Sequence, residues 1–288
     1  MAHPAFEKHQ KTLEQALAAI ESRGYWTPYP EMPSPKLYGE HAPAKGKQDF
    51  ESHLGKQFAL DQPGQSGWHS SEESPFGVDL DISYPVCDPD ALVSASKNAM
   101  SGWQTVGAQG RTGICLEILH RLNQQSFEIG HAVMLTSGQG WMMAFQAGGP
   151  HAQDRALEAV AYAWREQSFV PAQSLWEKPQ GKNPPIQMRK HFEIIGRGVG
   201  LVIGCGTFPT WNTYPGLFAA LATGNGVIIK PHSNSILPAA ITVRTIRAVL
   251  AEHGIDQNLV SLCVAPERDV TQRLAQHPDI KSVDFTGG

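Results

Sequence analysis

The most constraining feature of the sequence is a strand, helix, strand pattern between residues 198 and 232. Two apolar, β-branched runs at 199–203 and 227–229 are separated by a glycine-containing turn and by a helical pattern over 214–222. Two strands joined through a helix in this way form a parallel pair with a right-handed crossover. The pattern therefore predicts part of a parallel α/β sheet.

Polar side chains follow both strands of this unit. Asn212 comes after the first strand and its turn, and Lys230 ends the second strand. Because the carboxyl ends of parallel strands meet at one edge of a sheet, and ligands bind at that edge, we expect both side chains to face a ligand site.

The same alternation continues along the rest of the sequence. The pattern predicts a helix over 238–253, a strand over 259–264, a helix over 270–276 and a strand over 280–285. Alternating strands and helices with short loops indicate a doubly wound parallel α/β sheet. A further helix is expected to begin near Gly288, so the predicted sheet is incomplete at its carboxyl end.

The residues before this sheet are less regular. Residues 1–84 are predicted to form an extension with one amphipathic helix over 5–23, followed by loops with a few short strands. Residues 85–288 are predicted to form one domain, and a hairpin arm or a plain connector lies near 171–197. Four helices are predicted to precede the first parallel strand, at 89–103, 110–124, 127–136 and 152–169.

Composition excludes several classes of function. The net charge is -4 and the pI is near 6.3, without the basic stripe of a nucleic-acid-binding protein. There is no signal-peptide pattern and no apolar run of the roughly 20 residues that a membrane span needs, so we expect a cytoplasmic protein. The cysteines lack metal-ligand spacing, so no metal site is expected. They are Cys87, Cys115, Cys205 and Cys263.

Four short motifs stand out in the sequence: Trp211-Asn212, Ala222-Thr223-Gly224-Asn225, Lys230-Pro231 and Phe285-Thr286-Gly287-Gly288. Taken together, they resemble the aldehyde dehydrogenase superfamily. They occur in the order of that family and close to its spacing, and a looser similarity extends upstream through Trp103, Arg111 and residues 135–138. The amino-terminal extension and residues 230–233 are most similar to the phenylacetic acid degradation (PaaN) group.

The resemblance implies a Rossmann-like fold of the aldehyde dehydrogenase type and NAD(P)-dependent oxidation of a small-molecule aldehyde. A ring-opened semialdehyde linked to coenzyme A is one candidate substrate, and a homo-oligomer is implied for the full-length form. Residues 85–288 would be the cofactor-binding domain, and the catalytic domain would be absent from this chain.

The resemblance also implies roles for individual residues. Asn212 would stabilise the oxyanion that forms when a thiolate attacks the aldehyde, although an asparagine before a helix is also a favoured N-cap. Lys230, followed by Pro231, would bind the hydroxyl groups of the adenosine ribose. Thr286, Gly287 and Gly288 would form the turn beneath the pyrophosphate, where backbone N–H groups suit an anion.

The expected cofactor follows from one substitution within the family pattern. Ser233 stands where many NAD-preferring members have a glutamate, whose carboxylate repels a 2′-phosphate. We therefore expect NADP, with NAD as the alternative. Arg268, in a nearby loop, is interpreted as a solvated side chain rather than as a phosphate ligand.

The nucleophilic cysteine and the general-base glutamate of the family match no residue of this chain. Cys205 lies near the site but not at the position of the nucleophile, and we expect it to be a small buried residue. The chain is therefore expected to lack activity by itself. Because the predicted sheet ends at the 280–285 strand with an uncovered edge, the chain is also expected to be marginally stable and to self-associate. Two alternatives stay open: a non-catalytic dinucleotide-binding or association module, and an aldehyde dehydrogenase that transfers the acyl group to coenzyme A.

Overall fold

The computed structural model describes residues 3–265, 267 and 269–287. The extension contains α1 (Pro4–Ser22), α2 (Pro35–Tyr38), α3 (Ala42–Glu51), β1 (Gln65–His69) and β2 (Tyr84–Cys87). Five helices follow: α4 (Pro89–Thr105), α5 (Gly107–Gln124), α6 (Ser126–Ser137), α7 (Trp141–Gly148) and α8 (Pro150–Ser168). The remaining elements are β3 (Gln173–Gln180), β4 (Asn183–His191), β5 (Val199–Ile203), α9 (Tyr214–Ala222), β6 (Gly226–Lys230), α10 (Leu237–Glu252), β7 (Val260–Leu262), α11 (Asp269–Gln276) and β8 (Ile280–Phe285).

The central sheet contains four parallel strands in the order β7, β6, β5, β8. The chain winds outward from β5 through β6 to β7 and then returns to place β8 on the other side of β5. This order confirms the predicted doubly wound parallel α/β sheet, since the winding direction changes at β5.

The two faces of this sheet are covered by different helices. Leu201 and Ile228 pack in a cluster with residues of α4 and α11. Val202 and Val227 belong to a larger cluster that includes α5, α9 and α10. Successive residues of a strand point to opposite faces, so strands that are buried on both sides read as continuous apolar runs.

The number of helices before the sheet differs from the prediction. Five helices lie between residues 89 and 168, because α7 was missed. Within the extension, α2 and α3 were missed. In α3 only Gly46 and Phe50 are buried, so its sequence has no apolar periodicity to detect. The eight-residue α7 lies between Gly140 and Gly149, in a stretch between the predicted helices 127–136 and 152–169 to which the sequence assigned no element.

The segment between residues 171 and 197 contains an antiparallel hairpin. β3 and β4 pair with Trp176 opposite Met188, and almost every residue of both strands is exposed. Large apolar side chains, among them Leu175 and Ile186, are therefore exposed to solvent in this chain.

The amino-terminal extension packs into the same core as the sheet and helices. Leu13 of α1, Phe50 of α3 and Tyr84 of β2 are buried in the larger cluster. One extension residue also completes the edge strand β7. The side-chain oxygen of Gln62 accepts the N–H of Leu262 at 2.7 Å, and its amide nitrogen donates to the Leu262 carbonyl at 3.0 Å.

Replacement of Gln62 should therefore destabilise the fold. Gln62→Ala leaves the buried N–H and C=O of Leu262 without these partners, so we expect the free energy of unfolding to fall by about 2–3 kcal/mol. Urea denaturation of the purified protein measures this change. Gln65→Ala, which removes an exposed side chain from β1, is the matched control. Equal effects of the two substitutions would contradict the role of Gln62.

Candidate functional site

A cleft of about 640 Å³ lies at the carboxyl edge of β5, β6 and β8. It brings together five residues that the sequence assigned to cofactor binding, together with Cys205 and residues of α6. Gly288 and Arg268 lie outside the described residues. The five are Lys230, Pro231, Ser233, Thr286 and Gly287.

The pairing of β5 with β6 determines where this cleft opens. Ile203 is opposite Lys230 at the ends of the two strands, and the N–H of Gly204 donates to the Lys230 carbonyl at 2.9 Å. After this pair, the segments that follow β5 and β6 diverge, and the cleft lies between them. An added Cβ on Gly206 would lie 3.0 Å from Nδ1 of His232, so glycine keeps this wall of the cleft open.

Lys230 is half-buried beside the cleft. Its Nζ donates to the Pro231 carbonyl at 3.1 Å. Burial lowers the pKa of Lys230, an effect that the nearby Cys263 partly opposes. An ammonium group has three N–H donors, so this side chain can also donate to hydroxyl groups of a ligand in the cleft.

Asn212 does not line the cleft but contacts Cys205, which does. Its amide nitrogen donates to Sγ of Cys205 at 3.2 Å, and its side-chain oxygen accepts from Nη1 of Arg155 at 3.4 Å. The N-cap of α9 is Thr213, one residue later, and it makes no side-chain capping bond. The alternative that Asn212 is the helix N-cap is therefore wrong.

Arg155 of α8 is a functional candidate that the sequence did not reveal. Its Nη1 donates to the Trp211 carbonyl at 3.0 Å, and its guanidinium lies 4.1 Å from the centre of the Trp211 ring. Together with the contact to the side-chain oxygen of Asn212, these interactions orient the Asn212 amide nitrogen toward Cys205. No short motif marks Arg155, which lies 57 residues before Asn212.

Cys205 is partly exposed, so the expectation that it is buried is wrong. The turn after β5 carries it out of the sheet and into the wall of the cleft. Burial opposes ionisation of its thiol, but hydrogen bonds from Asn212 and from the N–H of Phe208 outweigh this effect and lower its pKa. The other three cysteines are buried, and burial raises the pKa of Cys115 and of Cys263 to about 12.

Several residues that carry the family resemblance stabilise the carboxyl end of α9 rather than line the cleft. The indole nitrogen of Trp103 donates to the Leu221 carbonyl at 2.9 Å. Nη2 of Arg111 donates to Gln167 at 3.1 Å, and the Gln167 amide donates to the Ala222 carbonyl at 3.1 Å. These buried side chains satisfy carbonyl groups that a helix end leaves unpaired.

The amino-terminal extension also reaches the cleft. The hydroxyl of Ser71 donates to the Ser233 carbonyl at 2.6 Å, and the N–H of Glu73 donates to the side chain of Asn234 at 2.9 Å. Between them, the buried carboxylate of Glu72 accepts the N–H of Leu237 at 2.8 Å. The 71–73 segment therefore holds the 231–236 loop, which forms one wall of the cleft.

The described part of the chain contains neither a candidate metal site nor a helix that could span a membrane. Among residues 3–265, 267 and 269–287 there is no group of three or more His, Cys, Asp or Glu side chains that could hold a metal ion. None of the helices in these ranges is long and apolar enough to cross a membrane.

The environment of Cys205 makes a prediction about its reactivity. Because a thiolate is the species that iodoacetamide alkylates, the pH midpoint of labelling reports the pKa of the thiol. Asn212→Ala removes a hydrogen bond that lowers this pKa, so the midpoint should move to higher pH. Cys205→Ser is the control and should abolish labelling of the native protein at neutral pH. A midpoint that Asn212→Ala leaves unchanged would contradict the proposed contact.

Comparisons with known proteins identify the family. A profile described as the aldehyde dehydrogenase family matches residues 86–288. A crystal structure of an NAD-dependent aldehyde dehydrogenase from Burkholderia multivorans is 58% identical, with a TM-score of 0.96, and the match covers 98% of this chain and 51% of that protein. Alpha-ketoglutaric semialdehyde dehydrogenase 2 from Azospirillum brasilense is 35% identical over 133 residues, which are 46% of this chain and 25% of the relative.

A more distant structure shares the fold. The 1-pyrroline-5-carboxylate dehydrogenase of Thermus thermophilus has a TM-score of 0.66 at 15% identity, over 90% of this chain and 49% of that one. The chain thus spans about half the length of these solved structures and a quarter of the curated relative. Since the family profile matches most of its residues, the chain belongs to the aldehyde dehydrogenase family.

Proposed function

We propose that this chain is the cofactor-binding portion of a nicotinamide-dependent aldehyde dehydrogenase. The observation that carries the proposal is the convergence of Lys230, Ser233, Thr286 and Gly287 on one cleft at the carboxyl edge of a doubly wound sheet. This edge is where such sheets bind dinucleotides. The family match supports the same reaction class.

The residues of the cleft fit a dinucleotide. Lys230 would donate to the ribose hydroxyl groups, and the backbone at Thr286 and Gly287 would face the pyrophosphate. Gly204 and Gly206 contribute no side chains to the wall of the cleft on either side of Cys205. When bound, the nicotinamide ring supplies the hydride acceptor for aldehyde oxidation.

Asn212 would act on the substrate rather than on the cofactor. Arg155 donates to its side-chain oxygen, which leaves the amide nitrogen as the donor that faces the turn at Cys205. A donor fixed in this way stabilises the negative charge that develops on the aldehyde oxygen during attack by a thiolate. The catalytic nucleophile and the general base match no residue of this chain.

The cofactor is proposed to be NAD, with NADP as the alternative. The sequence led us to expect NADP because Ser233 lacks the carboxylate that repels a 2′-phosphate. The comparisons do not support that preference, and the similar protein from Burkholderia multivorans is named as NAD-dependent. A carboxylate close to the 231–236 loop, that of Glu72, also favours NAD.

The substrate and the assembly are also proposals. The resemblance to the phenylacetic acid degradation group favours a ring-opened semialdehyde carried on coenzyme A, and the exposed β3–β4 hairpin supports association of subunits. Product analysis of the full-length enzyme would distinguish the two reactions. A free acid would indicate hydrolysis, and a thioester would indicate transfer of the acyl group to coenzyme A.

Cofactor binding tests the proposal directly. Lys230→Met removes the proposed donor to the ribose, so we expect the Kd for NAD to increase about tenfold, as measured by calorimetry on the purified chain. Lys178→Met, at an exposed position of the hairpin, is the matched control and should leave the Kd unchanged. Failure of the unsubstituted chain to bind either NAD or NADP would contradict the proposal.

Activity provides a separate test. Because neither the nucleophile nor the base matches a residue of this chain, we expect the purified 288-residue chain to bind cofactor without turnover. The measurement is NADH formation from NAD and a series of aldehydes. Aldehyde-dependent NADH formation by this chain alone would overturn the assignment of the nucleophile and base to other residues.

A further inference from the structure

The 231–236 loop is held by the amino-terminal extension through several contacts. Ser71 donates to the Ser233 carbonyl at 2.6 Å. The backbone of Glu73 forms two hydrogen bonds with the side chain of Asn234, at 2.9 and 3.2 Å. Since Ser233 and Asn234 line the cleft, this extension is part of the cleft's supporting structure.

Glu72 occupies the amino-terminal end of α10. One of its carboxylate oxygens accepts the N–H groups of Ile236 and Leu237, the latter at 2.8 Å. The other oxygen accepts the hydroxyl of Tyr84. Glu72 is 7% exposed and Tyr84 is fully buried, so this arrangement is shielded from solvent.

All of these contacts place donors around the Glu72 side chain. An ionised carboxylate accepts hydrogen bonds at both oxygens and needs no donor of its own, so it matches the two N–H groups and the tyrosine hydroxyl. Burial raises the pKa of Glu72, and these same donors lower it in part. These donors would stabilise an ionised carboxylate at the start of α10, against the larger opposing effect of burial.

A carboxylate at this position would have two effects on an anion bound near Ser233. The N–H groups of Ile236 and Leu237 at the start of α10, which would otherwise attract a phosphate, are already bonded to Glu72. Glu72 does not line the cleft, so the charge of its carboxylate would repel a second anion there only at a distance. Both effects act against a 2′-phosphate and neither acts against a 2′-hydroxyl.

We propose that Glu72 is a cofactor-specificity residue, which disfavours NADP from the extension and so supplies the negative charge that Ser233 does not. The proposal rests on the proposed function, because it assumes that the adenosine ribose lies between Lys230 and the 231–236 loop. It assigns to the amino-terminal extension a part in choosing the cofactor.

Binding of two nucleotides to the unsubstituted protein provides the first test. AMP and adenosine 2′,5′-bisphosphate differ by the 2′-phosphate alone, and we expect AMP to bind about five- to tenfold more tightly. Equal affinities, or tighter binding of the bisphosphate, would overturn the proposal. If neither AMP nor NAD binds, the proposed function fails instead.

Substitution of Glu72 provides the second test. Glu72→Gln removes the charge but keeps an oxygen that accepts the N–H groups of Ile236 and Leu237. We expect the ratio of the Kd for NADP to the Kd for NAD to fall about fivefold, while the Kd for NAD changes less than twofold. Weaker binding of both cofactors with an unchanged ratio would show a structural role only and would refute the proposal.

The control is the neighbouring exposed carboxylate. Glu73 contacts Asn234 through its backbone, so Glu73→Gln removes a nearby charge without disturbing these hydrogen bonds. Glu73→Gln should leave the ratio unchanged, and an equal fall in both variants would overturn the assignment of specificity to Glu72. Circular dichroism of each variant establishes that it folds. If Glu72→Gln does not fold, equal or tighter binding of the bisphosphate to the unsubstituted protein still overturns the proposal.

Discussion

The in-register parallel pairing of β5 with β6 is the interaction on which the candidate site depends. It places Ile203, the last residue of β5, directly beside Lys230, the last residue of β6. The segments that follow the two strands then diverge. The segment after β5 forms the glycine-rich turn that carries Cys205, and the segment after β6 forms the 231–236 loop. The cleft between them is therefore a consequence of backbone pairing, and its side chains are fixed by their distance from the strand ends.

Two groups of residues keep this arrangement in place from outside the sheet. Trp103 and Gln167 bond to carbonyl groups at the end of α9 and so fix the helix that crosses from β5 to β6. Ser71 and Glu72 fix the loop after β6 from the other side. The extension thus does more than cover a surface, since it contributes hydrogen bonds to the wall of the cleft.

The alternation of strands and helices was predictable from the sequence because strands that are buried on both faces require continuous apolar runs. The β8 strand was predicted to the residue, at 280–285. The short helices α3 and α7 were missed because one lacks apolar periodicity and the other is bounded by glycines. The prediction of a buried Cys205 failed because residue type alone does not reveal a turn that leaves the sheet.

The contacts of Arg155 and of the 71–73 segment could not be predicted from local patterns. Glu72 and Leu237 are 165 residues apart, and neither has a neighbour that marks the pairing. Ser233 illustrates the same point, since its side chain suggested NADP when considered by itself. Its surroundings include a carboxylate contributed by a distant part of the chain.

The bonding of Gln62 to β7 has a consequence for how the sheet can grow. A side-chain amide occupies the N–H and C=O of Leu262 that a neighbouring strand would use, so this border of the sheet is closed to further pairing there. Within the described residues, β8 pairs with β5 alone and its Val283 and Phe285 side chains are exposed. A further strand, from the same polypeptide or from another, would therefore join the sheet in register beside β8.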